Sequence, residues 1–314
     1  MKLRANNIDI EVEDTGAGAP GETRPTVLLI MGLGMQLVAW PPELVQALVA
    51  AGYRVVCHDN RDVGLSHRFE AHGKPKMIWQ TLRYKLGLTP QSSYTLADMA
   101  ADSLGVLDAL GIDQAHVVGV SMGGMIAQRV ALAAPSRVLS LTSIMSTSGA
   151  KRLPNPKPEV MRALLKRPAN HRPEVVLEHY VNLFKIIGSP GFVTPDAELR
   201  ATILKGAQRG FYPVGTMRQM LAIMADITRA AQLSRIHTPT LVIHGKADPL
   251  VPFACGEDTV RRIPGATLLG IEGMGHDLPP GVVERLLPPL LKHLNAATIV
   301  ATRTLPSPDY PSPS

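Results

Sequence analysis

Short apolar runs alternate with helical patterns along the first half of the chain. Two extended stretches at residues 2–6 and 8–13 predict an antiparallel hairpin at a sheet edge. Four later runs have the length and apolar content of strands that are covered on both faces: residues 26–31, 54–58, 115–120 and 138–146. Helical patterns at residues 40–51 and 94–110 lie between them. This alternation predicts an α/β fold with a mostly parallel sheet.

The pattern changes after residue 149. Up to about residue 235 it predicts helices without intervening strands, and strand-like runs return only at residues 239–244 and 266–271. We therefore predict a sheet domain of residues 1–148 and 236–294, with a helical cap of residues 149–235 inserted into it. Residues 70–93 are expected to be irregular. Residues 282–294 predict a closing helix, and residues 295–314, rich in Pro, Ser and Thr, predict a disordered tail.

A serine lies where the strand at residues 115–120 gives way to a helix. Gly119-Val120-Ser121-Met122-Gly123 fits the pattern Gly-x-Ser-x-Gly. A strand that reverses into a helix at one residue strains that residue and holds its side chain up at the carboxyl end of the sheet. The five residues alone are also compatible with a Gly/Ser turn in a dinucleotide-binding unit. The strand before Ser121 and the helix after it favour a nucleophile elbow.

Two further strand ends supply the partners that a serine nucleophile needs. Asp248 follows the strand at residues 239–244, and His276 follows the strand at residues 266–271. A serine hydroxyl needs a base such as His276 to take its proton, and the base needs an acid such as Asp248 to fix its tautomer. Each residue alone is equally consistent with an ordinary turn or a structural histidine. Their order, Ser121, Asp248 and His276, predicts a catalytic triad.

The same chemistry requires donors for an oxyanion. We expect the backbone N–H groups of Met122 and Leu33 to supply them. Gly32 and Gly34 would let their loop approach the substrate closely. Five residues are predicted to contribute to an adaptable apolar substrate pocket, although packing in the core is the alternative role for its methionines: Gly32, Gly34, Met35, Met145 and Met274.

Composition limits the remaining function classes. The 314 residues are 45% hydrophobic and 18% charged, which is typical of a globular protein with a substantial core. The net charge of +6 arises from residues 151–235, without a nucleic-acid motif, so we expect solvated basic helix faces and no nucleic-acid partner. No apolar run resembles a signal peptide or approaches the roughly 18 residues of a membrane span. We therefore expect a cytoplasmic protein with no membrane partner, and the oligomeric state stays open.

The two cysteines, Cys57 and Cys255, lack the spacing of metal ligands and form no disulfide framework. No other motif predicts a metal site or a cofactor-binding site. We accordingly expect neither a metal nor a cofactor.

Five motifs together resemble the α/β-hydrolase superfamily. They lie at residues 31–35, 59–66, 119–124, 244–249 and 273–276. Within that superfamily the chain is most similar to capped serine carboxylesterases of the aclacinomycin methylesterase type, and more distantly to proline iminopeptidases. The resemblance implies an eight-stranded, mostly parallel sheet with a helical cap above the serine. One departure is Met31-Gly32, because many relatives have His-Gly at this strand end.

The resemblance also implies a function, which is hydrolysis of small to medium apolar carboxylic esters through an acyl-enzyme. Ser121 at the elbow excludes relatives that use Asp there, such as epoxide hydrolases. Other Ser-His-Asp chemistry on the same fold stays open: cleavage of a lactone, thioester, amide or carbon–carbon bond, or perhydrolysis. A non-catalytic ligand-binding protein is the alternative from a different class.

Overall fold

A computed structural model describes residues 1–16, 24–166, 168–170 and 172–304. Within these residues eight strands form one sheet in the order β1-β2-β4-β3-β5-β6-β7-β8. The strands are β1 Lys2–Ala5, β2 Ile8–Asp14, β3 Thr26–Ile30, β4 Arg54–His58, β5 Ala115–Val120, β6 Val138–Ile144, β7 Thr240–Gly245 and β8 Thr267–Ile271. Only the β1–β2 and β2–β4 pairs are antiparallel, and all other neighbours run parallel. The predicted α/β fold is confirmed.

Eleven α-helices flank or follow these strands in the described residues. They are α1 Pro42–Ala50, α2 Met77–Lys85, α3 Leu96–Ala109, α4 Met122–Ala133, α5 Pro158–Leu165, α6 Pro173–Ile187, α7 Asp196–Gly210, α8 Pro213–Ala225, α9 Arg229–Gln232, α10 Phe253–Arg262 and α11 Pro280–Thr304. None of the helices described has the length and hydropathy that crossing a membrane would require.

The central strands are buried on both faces, as their continuous apolar sequence predicts. Every residue of β3, β5 and β7 is buried. Side chains alternate between two cores, because successive residues of a strand point to opposite faces. Leu28 packs in the core that contains α3 and α4 residues, whereas Leu29 packs in the core that contains α1 and α11 residues. The sheet therefore lies between two helical layers.

Helices α5 to α9 occupy the sequence between β6 and β7. These helices and the residues between them contact loops that follow β3, β4 and β8, through hydrogen bonds described below. The division into a core of residues 1–148 and 236–294 and a cap of residues 149–235 stays a prediction.

Two segments differ from the sequence-based expectations. The region expected to be irregular contains α2, where the buried side chain of Gln80 accepts a hydrogen bond from the amide of Gln91 at 2.8 Å. The closing helix does not end at residue 294 but continues to Thr304, because Ala297 is buried and Thr298 contacts His116 on β5 at 3.0 Å. Residues 295–304 of the predicted tail are therefore helical, and residues 305–314 lie outside the described residues.

Candidate active site

Ser121 occupies the turn between β5 and α4 in a strained conformation. Its φ of 55° and ψ of −119° are rarely adopted by a residue with a side chain. The turn is held by hydrogen bonds from the Ser121 amide to the carbonyl of Ile144 at 2.9 Å and from the Ser146 hydroxyl to the Ser121 carbonyl at 2.7 Å. A Cβ at Gly119 would overlap the carbonyl of Gly123, so this close crossing of strand and helix requires glycine.

The structure brings Ser121, His276 and Asp248 together in one hydrogen-bonded chain. Nε2 of His276 lies 3.0 Å from Oγ of Ser121, and Nδ1 lies 2.7 Å from Oδ2 of Asp248. An ionised carboxylate only accepts hydrogen bonds, so Nδ1 carries the proton and Nε2 is left free to accept one. Both partners of the serine are buried.

The loop after β7 fixes the orientation of Asp248. Its second oxygen, Oδ1, accepts hydrogen bonds from the amides of Leu250 at 2.9 Å and Val251 at 2.8 Å. Beneath this loop, Nε2 of His244 contacts the carbonyl oxygen of Val251 at 2.7 Å. A carbonyl oxygen only accepts hydrogen bonds, so Nε2 of His244 is the donor, and burial lowers the pKa of His244, which favours the neutral imidazole. Oδ2 is therefore the oxygen that faces His276.

The predicted oxyanion donors lie beside the serine. A Cβ at Gly32 would lie 3.2 Å from Cβ of Ser121, so the loop after β3 passes directly against the nucleophile. Among the described residues, the amides of Leu33 and Met122 have no acceptor in the protein. Two amide N–H groups beside a serine hydroxyl can donate hydrogen bonds to a negative oxygen without first breaking other hydrogen bonds.

Two long-range contacts hold the loop after β3, and the sequence patterns did not indicate either. The side-chain amide of Asn60 donates to the carbonyl of Met31 at 2.9 Å. Gly34, with φ of 68°, donates its amide to Oε1 of Gln219 on α8 at 2.9 Å. Nε2 of Gln219 in turn donates to the carbonyl of Arg61 at 2.8 Å. These bonds define the local hydrogen bonding at Met31-Gly32, the strand end that differs from the family pattern.

The histidine loop is held in a similar way by the last residue of α6 and by Ser189, which follows that helix. The amide of His276 donates to the carbonyl of Ile187 at 2.7 Å, and the amide of Gly275 donates to the hydroxyl of Ser189 at 2.8 Å. The Ser189 hydroxyl donates to Asp277. Burial raises the pKa of Asp277, which hydrogen bonds from Ser189 partly oppose. Neither Ser189 nor Gln219 belongs to a motif, so only the tertiary structure reveals them.

A cavity of about 1670 Å³ opens beside the serine. Ser121 and His276 lie on its wall, together with four of the predicted pocket residues, Gly32, Gly34, Met35 and Met145, and with Leu33. Four aromatic residues from the segment between β6 and β7 also line it: Tyr180, Phe184, Phe211 and Tyr212.

The fifth predicted pocket residue, Met274, does not line this cavity. Its side chain is fully buried in the core cluster that contains α11 residues, and its carbonyl accepts a hydrogen bond from the amide of Ala247 at 3.0 Å. Met274 therefore packs the base of the histidine loop. Among the described residues there is no group of three His, Cys, Asp or Glu side chains that could hold a metal ion.

Residues 25–279 match the family model described as the alpha/beta hydrolase fold, which covers most of the chain. The chain belongs to the α/β-hydrolase fold family. The family predicted from the motifs is therefore confirmed, with its eight-stranded, mostly parallel sheet.

Two curated members of this family resemble the chain over nearly its whole length. Rhodomycin D methylesterase DnrP from Streptomyces peucetius is 33% identical, over 93% of this chain and 98% of its own length. Rhodomycin D methylesterase DauP from Streptomyces sp. (strain C5) is 32% identical, over 93% of this chain and 97% of its own. A solved meta-cleavage product hydrolase from Pseudomonas fluorescens shares the fold with a TM-score of 0.70 at 21% identity, covering 95% and 98% of the two chains.

Proposed function

We propose that Ser121, His276 and Asp248 hydrolyse a carboxylic ester through an acyl-enzyme. The chain is a carboxylesterase-type serine hydrolase of the α/β-hydrolase family, which agrees with the sequence-based prediction. The observation that carries the role of these three residues is the unbroken chain of hydrogen bonds from Ser121 Oγ to Asp248 at the wall of a cavity.

Acylation begins when Nε2 of His276 takes the proton of the Ser121 hydroxyl. Oγ then attacks the ester carbonyl carbon, and the carbonyl oxygen becomes an oxyanion that accepts hydrogen bonds from the amides of Leu33 and Met122. Loss of one such donor typically costs about 2.7–4 kcal/mol of transition-state stabilisation. Asp248 stabilises the imidazolium without taking up a proton itself.

Acylation ends when the imidazolium gives its proton to the alkoxide as the ester C–O bond breaks, which leaves Ser121 acylated and releases the alcohol. In deacylation, water takes the place of the serine hydroxyl as the nucleophile. His276 then takes a proton from water, whose oxygen attacks the acyl carbon. Collapse of the second oxyanion releases the carboxylic acid and restores the serine hydroxyl.

The cavity and the named relatives together support a large ester of a small alcohol. Its volume of about 1670 Å³ exceeds the roughly 300–1,000 Å³ of an ordinary small-molecule site. This volume favours esters at the upper end of the predicted small to medium size range, or larger esters. The two relatives named rhodomycin D methylesterases support a methyl ester as the bond that is cleaved.

The role of Ser121 is tested by Ser121→Ala against p-nitrophenyl esters. Turnover should fall to background while the circular dichroism spectrum stays unchanged. Ser92→Ala is the matched control, because the described residues offer its hydroxyl no hydrogen-bond partner and it lies off the cavity wall. Undiminished turnover by Ser121→Ala would end the proposal.

The alternatives are separated by two further measurements. If a fluorophosphonate probe labels the native chain and Ser121→Ala abolishes the labelling, Ser121 is an activated serine. If the probe does not label the native chain, that result supports a non-catalytic ligand-binding protein. A panel of methyl esters with acyl groups of increasing size, beside matching lactones, thioesters and amides, ranks kcat/KM for each bond. A preference for large methyl esters is the expected outcome.

A further inference from the structure

Helix α2 and the residues after it expose an unusual amount of apolar surface. Ile78 is 89% exposed, Trp79 is 56% exposed and Leu86, directly after the helix, is 68% exposed. Leu82 and Leu88 are exposed as well. Contiguous exposed apolar side chains are uncommon on a monomeric globular protein and usually mark a surface that contacts something else.

These side chains share one face of the helix. At 100° per residue, Ile78, Leu82 and Trp79 fall within about 100° of arc. The opposite side faces the protein, since Gln80 is buried and Tyr84 lines the catalytic cavity. Helix α2 therefore lies between the cavity and the outside, with its apolar face turned outward.

Basic side chains border this apolar face, and acidic ones are absent from the segment. Residues 74–88 contain Lys74, Lys76, Arg83 and Lys85 and no Asp or Glu. Within α2, Arg83 and Lys85 fall on opposite flanks of the apolar arc. Long basic side chains in this position can keep their charges in water while their stems cover apolar surface.

We propose that α2 and residues 86–88 dock on an anionic lipid surface. An apolar helical face with Trp and Leu, flanked by Lys and Arg, is the arrangement that lies in the plane of a membrane interface. Anionic headgroups complement the four basic side chains, each of which contributes attraction near such a surface. A second copy of the chain fits less well, because a symmetric contact would set these like charges against one another.

Docking at α2 would place the catalytic cavity beside the lipid. Tyr84 belongs both to α2 and to the cavity wall, so an apolar ester dissolved in the bilayer would have a short path to Ser121. This consequence rests on the proposed esterase function, whereas docking itself does not. The lack of an apolar run long enough to span a bilayer predicts no membrane partner, but a short interfacial helix does not need such a run.

Flotation of the full chain with lipid vesicles tests the docking. Vesicles of phosphatidylcholine with phosphatidylglycerol should carry the protein, and vesicles of phosphatidylcholine alone should carry at least about tenfold less. High salt should weaken the binding. Ile78→Ser/Trp79→Ser should reduce binding to the anionic vesicles at least about tenfold, because both side chains are exposed and are the main apolar contacts.

Matched variants show whether this location matters. Ile299→Ser/Val300→Ser removes another exposed apolar pair, from α11, and Lys2→Glu/Lys292→Glu reverses two exposed charges elsewhere. Both should bind as the native chain does, whereas Lys76→Glu/Lys85→Glu should bind at least about tenfold more weakly. Ser121→Ala should still float, so that failure of docking and failure of catalysis are told apart.

Three outcomes would overturn the proposal. The native chain could fail to float with anionic vesicles, or Ile78→Ser/Trp79→Ser could float as well as the native chain. Alternatively, sedimentation could reveal a dimer that Ile78→Ser/Trp79→Ser disrupts while lipid binding is absent, which would assign the face to a second copy. If α2 docks on the bilayer, Ile78→Ser/Trp79→Ser should hydrolyse a vesicle-embedded ester more slowly than the native chain does. Its hydrolysis of p-nitrophenyl acetate should stay unchanged.

Discussion

Replacement of Arg218 by methionine should strongly destabilise the protein. Arg218 projects from α8 into a buried site, where Nε and Nη2 donate to the two carboxylate oxygens of Asp62 at 2.7 and 2.8 Å. Nη1 and Nη2 also donate to the carbonyl of Gly73 at 2.7 Å and the hydroxyl of Tyr212 at 2.8 Å. The side chains of Arg218 and Asp62 are 1% and 0% exposed. Arg218→Met keeps most of the stem and removes every one of these donors.

The expected loss follows from the charge that would be left behind. Burial opposes ionisation of Asp62, but hydrogen bonds from Arg218, the amide of Phe69 and the hydroxyl of Tyr94 outweigh it and hold the pKa of Asp62 below its ordinary value. Removing one partner of a buried ion pair costs about 3–5 kcal/mol. Without Arg218 the pKa of Asp62 should rise above its unfolded value. The variant should then lose less stability at pH 5, where Asp62 can take up a proton, than at pH 8.

Urea unfolding at both pH values measures these losses. Arg218→Met/Asp62→Asn should recover part of the stability, because no charge is then left unpaired in the core. Arg200→Met is the control, because its ion pair with Glu178 is exposed, and its urea midpoint should stay unchanged. A loss below about 1 kcal/mol at pH 8 for Arg218→Met would refute the reasoning, since that is the size expected for a surface pair.

Two further predictions concern the base and the pH range of stability. In Asp248→Asn, the amides of Leu250 and Val251 should hold the new carbonyl oxygen and turn the NH₂ group toward Nδ1 of His276, so that Nδ1 can no longer carry the proton. The kcat for p-nitrophenyl esters should then fall about 10⁴-fold, while the stability in urea stays unchanged. A loss of kcat below tenfold would contradict this role of Asp248. Burial lowers the pKa of His116 from 6.5 to about 4, so between these pH values the imidazole takes up a proton when the chain unfolds but stays neutral in the folded chain. The free energy of unfolding should therefore fall by up to about 3 kcal/mol as the pH falls from 6.5 to 4. His116→Asn should lose correspondingly less over that range in urea titrations, and an equal loss would contradict the assignment.

Features that depend on short stretches of sequence could be predicted well. Four consecutive apolar residues, Val27 to Ile30, predict that β3 is buried on both faces, and all five residues of this strand are buried in the structure. A Cβ at Gly119 would overlap the carbonyl of Gly123, and a Cβ at Gly123 would overlap the carbonyl of Ile30, so both glycines of the motif are needed around the strained turn that it predicted at Ser121. The carboxyl ends of parallel strands share one sheet edge, which is why chain order alone indicated that Ser121, Asp248 and His276 would meet.

Contacts between distant segments could not be predicted in this way. Gln219 is 185 residues from Gly34 in the chain, and no local pattern distinguishes it from a surface glutamine. Met274 follows a strand end as a pocket residue would, but it turns into the core. Helix α2 has an apolar face that is not covered by the core, so its hydrophobic pattern gave no guide to burial.

The long-range contacts also restrict how substrate could enter. Helix α8 holds the loop after β3 through Gln219 and the loop after β4 through Arg218, and the end of α6 holds the histidine loop through Ile187. Opening the whole segment between β6 and β7 would break a buried ion pair and would displace both the base and the oxyanion donors. Local movement costs least where few side chains are buried. Helix α2 buries only Gln80 and helix α7 buries none of its side chains, so these are the parts of the cavity wall that can yield most readily while the catalytic geometry is kept.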